Sequence, residues 1–206
     1  NGQVEESERL SAMGLAHGAR PTDALVVAAS LALGRTDTEV AIKLFNEVLA
    51  KNPTEGRSWS GLGLASMLNR DLPAASQQLE QAVKYMPDHV GTLHTLGWCK
   101  ILSQDLDGAR GVFLKTIDMD RNFGDSHGGL AVVLAMKGER DLAEESIKRA
   151  LGLDPQSLSA RFAQMVLAGK VDDPVKFRAL AGRMLSAYKG PFGASLDVML
   201  DEYEAR

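Results

Sequence analysis

Cysteine is nearly absent from this chain of 206 residues, aromatic residues make up only 5% of it, and it carries four histidines. Each scarcity removes a class of protein. The lone Cys99 excludes an internal disulfide and any cysteine-rich metal site, but it leaves the compartment open. His17, His89, His94 and His127 include no pair at the i, i+4 spacing of a helical metal site. His94 and Cys99 lie five apart, so on one helix their side chains diverge by about 140° and make a poor nucleophile pair. No run of about 18 apolar residues is present, so no segment reads as a membrane-spanning helix. The net charge is −4 and no stretch is basic enough to neutralise a phosphate backbone, which disfavours nucleic acid as a partner. A phosphate-cradling loop is also missing, because the glycines at 124, 128 and 129 open a helical pattern without a preceding strand.

What is present is a repeat. Aligned to itself at a period of 34, the chain places Ala41, Ala75, Ala109 and Ala143 at one position, with Phe45, Leu79, Phe113 and Ile147 four residues further on. Leu25, Trp59, Leu93 and His127 fall near the repeat start, followed by Ala28, Leu62, Leu96 and Leu130, and Pro53, Pro87, Arg121 and Pro155 close it. Within each repeat, apolar residues recur three and four apart in two runs, which predicts two amphipathic helices. The runs are separated by Gly34-Arg-Thr-Asp, Asn69-Arg-Asp, Ser103-Gln-Asp and Gly138-Glu-Arg-Asp, whose glycine and short polar side chains suit helix ends. The small residue lets two helices approach, and the large one fills the gap. One such hairpin cannot bury its apolar face alone, so neighbours must stack. The expected fold is therefore all-α, an α-solenoid of helical hairpins.

These residues resemble the tetratricopeptide repeat family, through Trp59-x-x-Leu62-Gly63, Ala75, Leu79, Ala82 and Pro87 and their echoes at 34-residue offsets. The resemblance covers Thr22 to Ser157. Arg121 stands in place of a closing proline, His127 in place of a large apolar residue, and Thr116 in place of a small one. It implies a right-handed superhelical solenoid as one domain. The expected division is an N-terminal capping helix over 1–21, four repeats over 22–55, 56–89, 90–123 and 124–157, a degenerate fifth repeat over 158–190 and a C-terminal cap over 191–206. In the fifth unit, residues 174–188 carry Phe177, Leu180, Ala181, Met184 and Leu185 as a second helix, and Ser195 to Glu204 reads as the last one.

In this family the first helices of the hairpins line a concave groove. Counting from each repeat start, the resemblance assigns Arg57, Leu64, Met67, His94, Trp98, Ile101, Val132 and Phe162 to its wall, with Trp98 the expected anchor. Family members that grip a chaperone's carboxylate terminus use a lysine and an asparagine here. This chain has Val26, Ser30 and Thr95, with Arg57 the lone cation of that lining, so such a clamp is not expected. An apolar lining with small gaps at Gly61, Gly128 and Gly129 suits an apolar peptide or an amphipathic helix. The alternative for Trp98, Met67 and Ile101 is packing between helices.

The acidic residues Asp71, Asp105, Asp107, Asp141, Glu144 and Glu145 sit in turns and on outer faces, as solvated charge. The expected function is accordingly a non-enzymatic, protein-binding scaffold, with no catalytic residue, metal or cofactor and with a protein or peptide as partner. Two further readings stand beside it. One is self-assembly through apolar terminal helices. The other is a likeness in charge and groove character to acidic bacterial secretion chaperones of the translocator class, which have three repeats. The chain opens on Asn1, which reads as an excised soluble segment of a larger or anchored protein, cytoplasmic or bacterial periplasmic.

Overall fold

The computed structural model describes residues 21–169 together with Arg9. The expected N-terminal cap, the second helix at 174–188 and the C-terminal cap lie outside the described residues. Those residues hold nine helices and no strand, in two compact units that divide after Pro87.

The first unit contains two helical hairpins, α1 (Thr22–Gly34) with α2 (Thr38–Lys51) and α3 (Gly56–Leu68) with α4 (Leu72–Tyr85). The second contains α5 (Val90–Leu102) with α6 (Leu106–Met119), α7 (Gly124–Met136) with α8 (Arg140–Leu153), and then α9 (Leu158–Leu167).

Local chemistry repeats with the sequence. Each first helix ends in a residue of left-handed conformation, Thr36 (φ 61°), Arg70 (63°), Gln104 (63°) or Gly138 (76°). The amide that follows then reaches back to the helix's last turn. Asp37 N–H donates to the Ala32 carbonyl, Asp71 to Ser66, Asp105 to Lys100 and Glu139 to Leu134, each at 2.9 Å, which satisfies carbonyls the helix leaves open. The carboxylates of Asp37, Asp71 and Asp105 then cap the second helices, accepting from Val40 N and Ala74 N at 3.1 Å and Gly108 N at 2.9 Å. The fourth turn departs, because Glu139 does not cap α8. Its two carboxylate oxygens instead accept from Arg110 at 3.1 Å, tying α6 to the turn before α8.

The small and large positions behave as expected. Ala41, Ala75, Ala109 and Ala143 are fully buried, and Phe45, Leu79, Phe113 and Ile147 lie buried beside them. In the second unit the Phe113 ring is held between glycines of two first helices. A Cβ added to Gly97 of α5 would lie 2.6 Å from its Cζ, and one added to Gly129 of α7 would overlap the same ring. Only glycine permits both approaches.

The departures from the repeat pattern are locally satisfied. Thr116 is buried and donates its hydroxyl to the Phe113 carbonyl at 2.8 Å. His127 donates Nε2–H to the Arg121 carbonyl at 3.0 Å. It thereby does what Trp59 does at the same repeat position, where the indole N–H reaches the Pro53 carbonyl at 2.8 Å. Arg161, another 34 residues on, donates to the Pro155 carbonyl at 3.2 Å. What recurs at this position in three of the repeats is a nitrogen donor that closes the loop six residues upstream.

Candidate peptide-binding surface

In the first unit the face built by α1 and α3 carries a mixed charge cluster beside apolar side chains. Glu55 caps α3 with one carboxylate oxygen, which accepts from Ser58 N at 2.6 Å, and holds Arg57 Nε with the other, also at 2.6 Å. Arg57 Nη2 reaches Asp23 of α1 at 2.9 Å. The hydrogen bonds to Glu55 and then Asp23 push the Arg57 guanidinium pKa further up, although its partial burial opposes them. Arg57 and Asp23 remain well exposed, at 57% and 87% of their side chains. Leu64 is half-buried against the core formed by Ala29, Leu33, Phe45 and Leu62, and Val27 and Ser60 are half-buried as well. Met67 and Val26 are buried. The Ser30 hydroxyl donates to the Val26 carbonyl at 2.8 Å.

The second unit places its expected wall residues in packed surroundings. His94 and Trp98 each keep only 5% of their surface, Phe162 1%, and Ile101 and Val132 none. Val132 and Phe162 are covered because α9 packs along α7 as a further first helix, and His94 and Trp98 because their rings pack on Phe113 of α6. A Cβ on Gly128 would lie 2.6 Å from Ser159 Cβ, so the glycines read as groove gaps are where helices meet. Trp98, Ile101, Val132 and Phe162 belong to one apolar cluster with Phe113, Ala131 and Ala160. As the structure places them, these side chains fill the interior and do not form an open wall.

His94 sits in an aromatic enclosure. Phe113, Phe123 and Trp98 meet it edge-on, with ring centroids at 5.5, 5.9 and 6.3 Å. Nε2 lies 3.3 Å from the Asp125 carbonyl, and a carbonyl can only accept, so Nε2 carries the hydrogen. Burial pushes the imidazole pKa down, partly offset by the hydrogen bond to Asp125 and the charge of its carboxylate. Neutral imidazole is the form that fits. His89 caps α5 through Nδ1, which accepts from Thr92 N at 3.1 Å. Cys99 is buried and forms no disulfide. Among the described residues no three His, Cys, Asp or Glu side chains are grouped to hold a metal ion, and no helix is long and apolar enough to cross a membrane.

Two features escaped the sequence reading. Phe123 closes the His94 enclosure from the loop before α7, at a position where the repeat pattern gives no cue. The second is an open groove of about 620 Å³ between α8 and α9, with Ile147, Leu151 and Leu167 among its apolar side chains and Arg140, Glu144 and Lys148 among its charged ones. Its signal was the apolar pair Ile147 and Leu151 at i, i+4 on α8.

Residues 26–89 match the family model described as tetratricopeptide repeat. No curated protein matches the chain by sequence. Among solved structures, the chain is similar to YrrB, described as a TPR protein with an unusual peptide-binding site, at 15% identity over 94% of each chain with a TM-score of 0.66. It is also similar to PilF of Pseudomonas aeruginosa, at 17% identity over 99% of this chain and 90% of that one with a TM-score of 0.70. MamA matches at 17% identity over 86% of this chain and 97% of that one, with a TM-score of 0.62. At these identities the likeness is one of fold. The chain has the tetratricopeptide-repeat fold, an α-solenoid of helical hairpins.

Proposed function

We propose that this chain is a non-enzymatic interaction module that receives an apolar peptide or helix of a partner protein on the first-helix face of its N-terminal hairpins. The fold supports protein binding in general, because solenoid repeats expose long surfaces whose side chains are free to vary while packing positions are fixed. The observation that carries the finer reading is that Arg57, Ser60 and Leu64 recur three and four apart on one face of α3, Arg57 exposed and Ser60 and Leu64 half-buried. The Arg57–Asp23 pair is exposed, and such pairs contribute little to stability. A carboxylate or carbonyl of an incoming peptide can therefore replace Asp23 at small cost, while an aliphatic side chain settles on Leu64. Trp98, expected as the anchor, acts instead as framework for the second unit.

The test is selection of peptides from a random display library on the wild-type chain, followed by titration against Leu64→Glu and Arg57→Glu. Both substitutions are at partly exposed positions, so circular dichroism should show an unchanged fold. Peptides with an aliphatic anchor next to an acidic residue should be enriched and should bind at least about tenfold more weakly to both variants, a difference of about 1.4 kcal/mol. Equal binding to all three chains would move recognition off this face.

Self-assembly is a second reading, favoured by Leu158 and Met165, large apolar residues exposed on α9. A sedimentation mass that rises with concentration would support it, and a constant monomer mass would remove it.

A further inference from the structure

Arg57 is held from two sides, and the two contacts differ in kind. Glu55, with only 10% of its side chain exposed, keeps Arg57 Nε at 2.6 Å while its other oxygen caps α3, so this contact is built into the helix start. Asp23 of α1 reaches Arg57 Nη2 at 2.9 Å from a side chain that is 87% exposed, so this contact is exchangeable. The cluster of one guanidinium and two carboxylates carries a net charge of −1. A carboxylate that displaced Asp23 unaccompanied would put three acids around one guanidinium, with the displaced Asp23 beside the newcomer. A cation that arrives with it and pairs with Asp23 removes that repulsion.

Placement sets the order of groups along the ligand. Asp23 and Arg57 stand 34 residues apart, at the same position of two successive repeats, on first helices that pack together. Leu64 lies two turns further along α3, about 10 Å from Arg57 in helix rise. Arg57 is therefore the corner of a path that runs from Asp23 to Leu64.

We infer that the ligand of this face is an ampholytic segment of a partner protein, in which an acidic residue lies between a basic residue and an aliphatic one. The inference rests on the reading of the first-helix face proposed above, and it adds the charge pattern of the partner. The acid takes the Nη edge of Arg57, the base takes Asp23, and the aliphatic side chain lies on Leu64. One intramolecular ion pair is exchanged for two intermolecular ones, and Glu55 keeps the guanidinium aimed throughout, which limits the ordering cost of binding. The same cluster rejects wrong partners. A purely acidic segment is repelled by Asp23 and Glu55, and a purely basic one brings nothing for Arg57.

The test takes a peptide selected on the full wild-type chain from a random display library, resynthesises it, and replaces its basic residue by glutamine. On the wild-type chain this replacement should weaken binding about fivefold, whereas on Asp23→Asn, which has lost the partner of that base, it should change little. Selection repeated on Asp23→Lys should enrich an acid where the base stood. Asp23 is exposed, so circular dichroism should show both variants folded. Selected peptides with no base on the far side of the acid from the aliphatic residue, or an equal loss on wild type and Asp23→Asn, would overturn the inference. The face itself would stand in that case, because Leu64→Glu and Arg57→Glu would still weaken those peptides. Peptides that bind Leu64→Glu and Arg57→Glu as tightly as wild type, or a selection that enriches nothing, would remove the face and the inference together.

Discussion

The same substitution, glycine to alanine, should have opposite signs at two places in the second unit. At Gly111, mid-helix in α6 and exposed, an added Cβ meets nothing within 4 Å. Only helix propensity acts there, and Gly111→Ala should stabilise by about 1 kcal/mol. At Gly97 the same gain of about 1 kcal/mol is opposed by a Cβ placed 2.6 Å from Phe113 Cζ and 3.0 Å from two further ring carbons. The ring is fully buried and backed by Gly129, so it cannot swing away, and overpacking of this kind costs about 1–3 kcal/mol. Gly97→Ala should therefore be neutral to destabilising by about 2 kcal/mol. Urea unfolding followed by circular dichroism reads both changes as shifts of the midpoint at constant slope. A control makes the cause explicit. In a Phe113→Ala background, itself costing about 3–5 kcal/mol and carried with Gly111→Ala to keep the chain folded, the obstacle is gone and Gly97→Ala should turn stabilising. If Gly97→Ala raises the midpoint in the wild-type chain as Gly111→Ala does, Phe113 does not pack between the two glycines and the reasoning fails.

Further outcomes follow from the same structure. Gln104 occupies a left-handed turn position at φ 63°, so Gln104→Gly should stabilise by about 0.5 kcal/mol in urea unfolding, and Gly138→Ala, at φ 76°, should destabilise by about 1 kcal/mol. Ala109→Leu should cost about 1–3 kcal/mol, because the site is fully buried and small in every repeat; an unchanged melting curve would mean the register is misassigned. His94 is held neutral with its pKa depressed, so the unfolded chain binds more protons once pH drops below the ordinary histidine value of about 6.5. Stability should be full above that pH and fall below it, down to the folded-state pKa, and His94→Phe should flatten this part of the profile. His127→Leu, which deletes the Nε2–H donor to the Arg121 carbonyl, should cost about 0.5–1.5 kcal/mol by thermal melting, and no loss would show the loop closes without it.

Much of the fold was legible because packing positions obey one period. The pairing of alanine with a large apolar residue fixes which helix faces meet, and the aspartates at 37, 71 and 105 mark where three of the four second helices start. The caps of the first helices were less legible, since Glu55 and His89 are not the residues a capping rule favours, yet each side chain reaches the third amide of its helix. The shortening of α9 was hidden too. The sequence at Gly169 announces a turn, but only backbone geometry shows that it arrives before the helix has reached the length of its predecessors.

The wall of the expected site failed to be legible for a physical reason. Counting positions along a first helix says which side chains point off its inner face, and it does not say whether another helix already lies there. Gly128 was read as a gap in an apolar groove. In the structure that gap is the contact with Ser159, and once α9 has come that close Val132 and Phe162 are buried. The same reasoning explains His127. Hydrophobic alignment scores it as a flaw, because the pattern tracks apolar area, but Trp59, His127 and Arg161 share a ring or guanidinium N–H aimed at a carbonyl six residues back. Buried area can be supplied by neighbours, and a side-chain N–H at this position instead satisfies a loop carbonyl turned away from its helix. Leu25 and Leu93 stand at the same repeat position without a donor, so the position is met in two ways, by apolar area or by a side-chain N–H, and a search for further degenerate units should admit either.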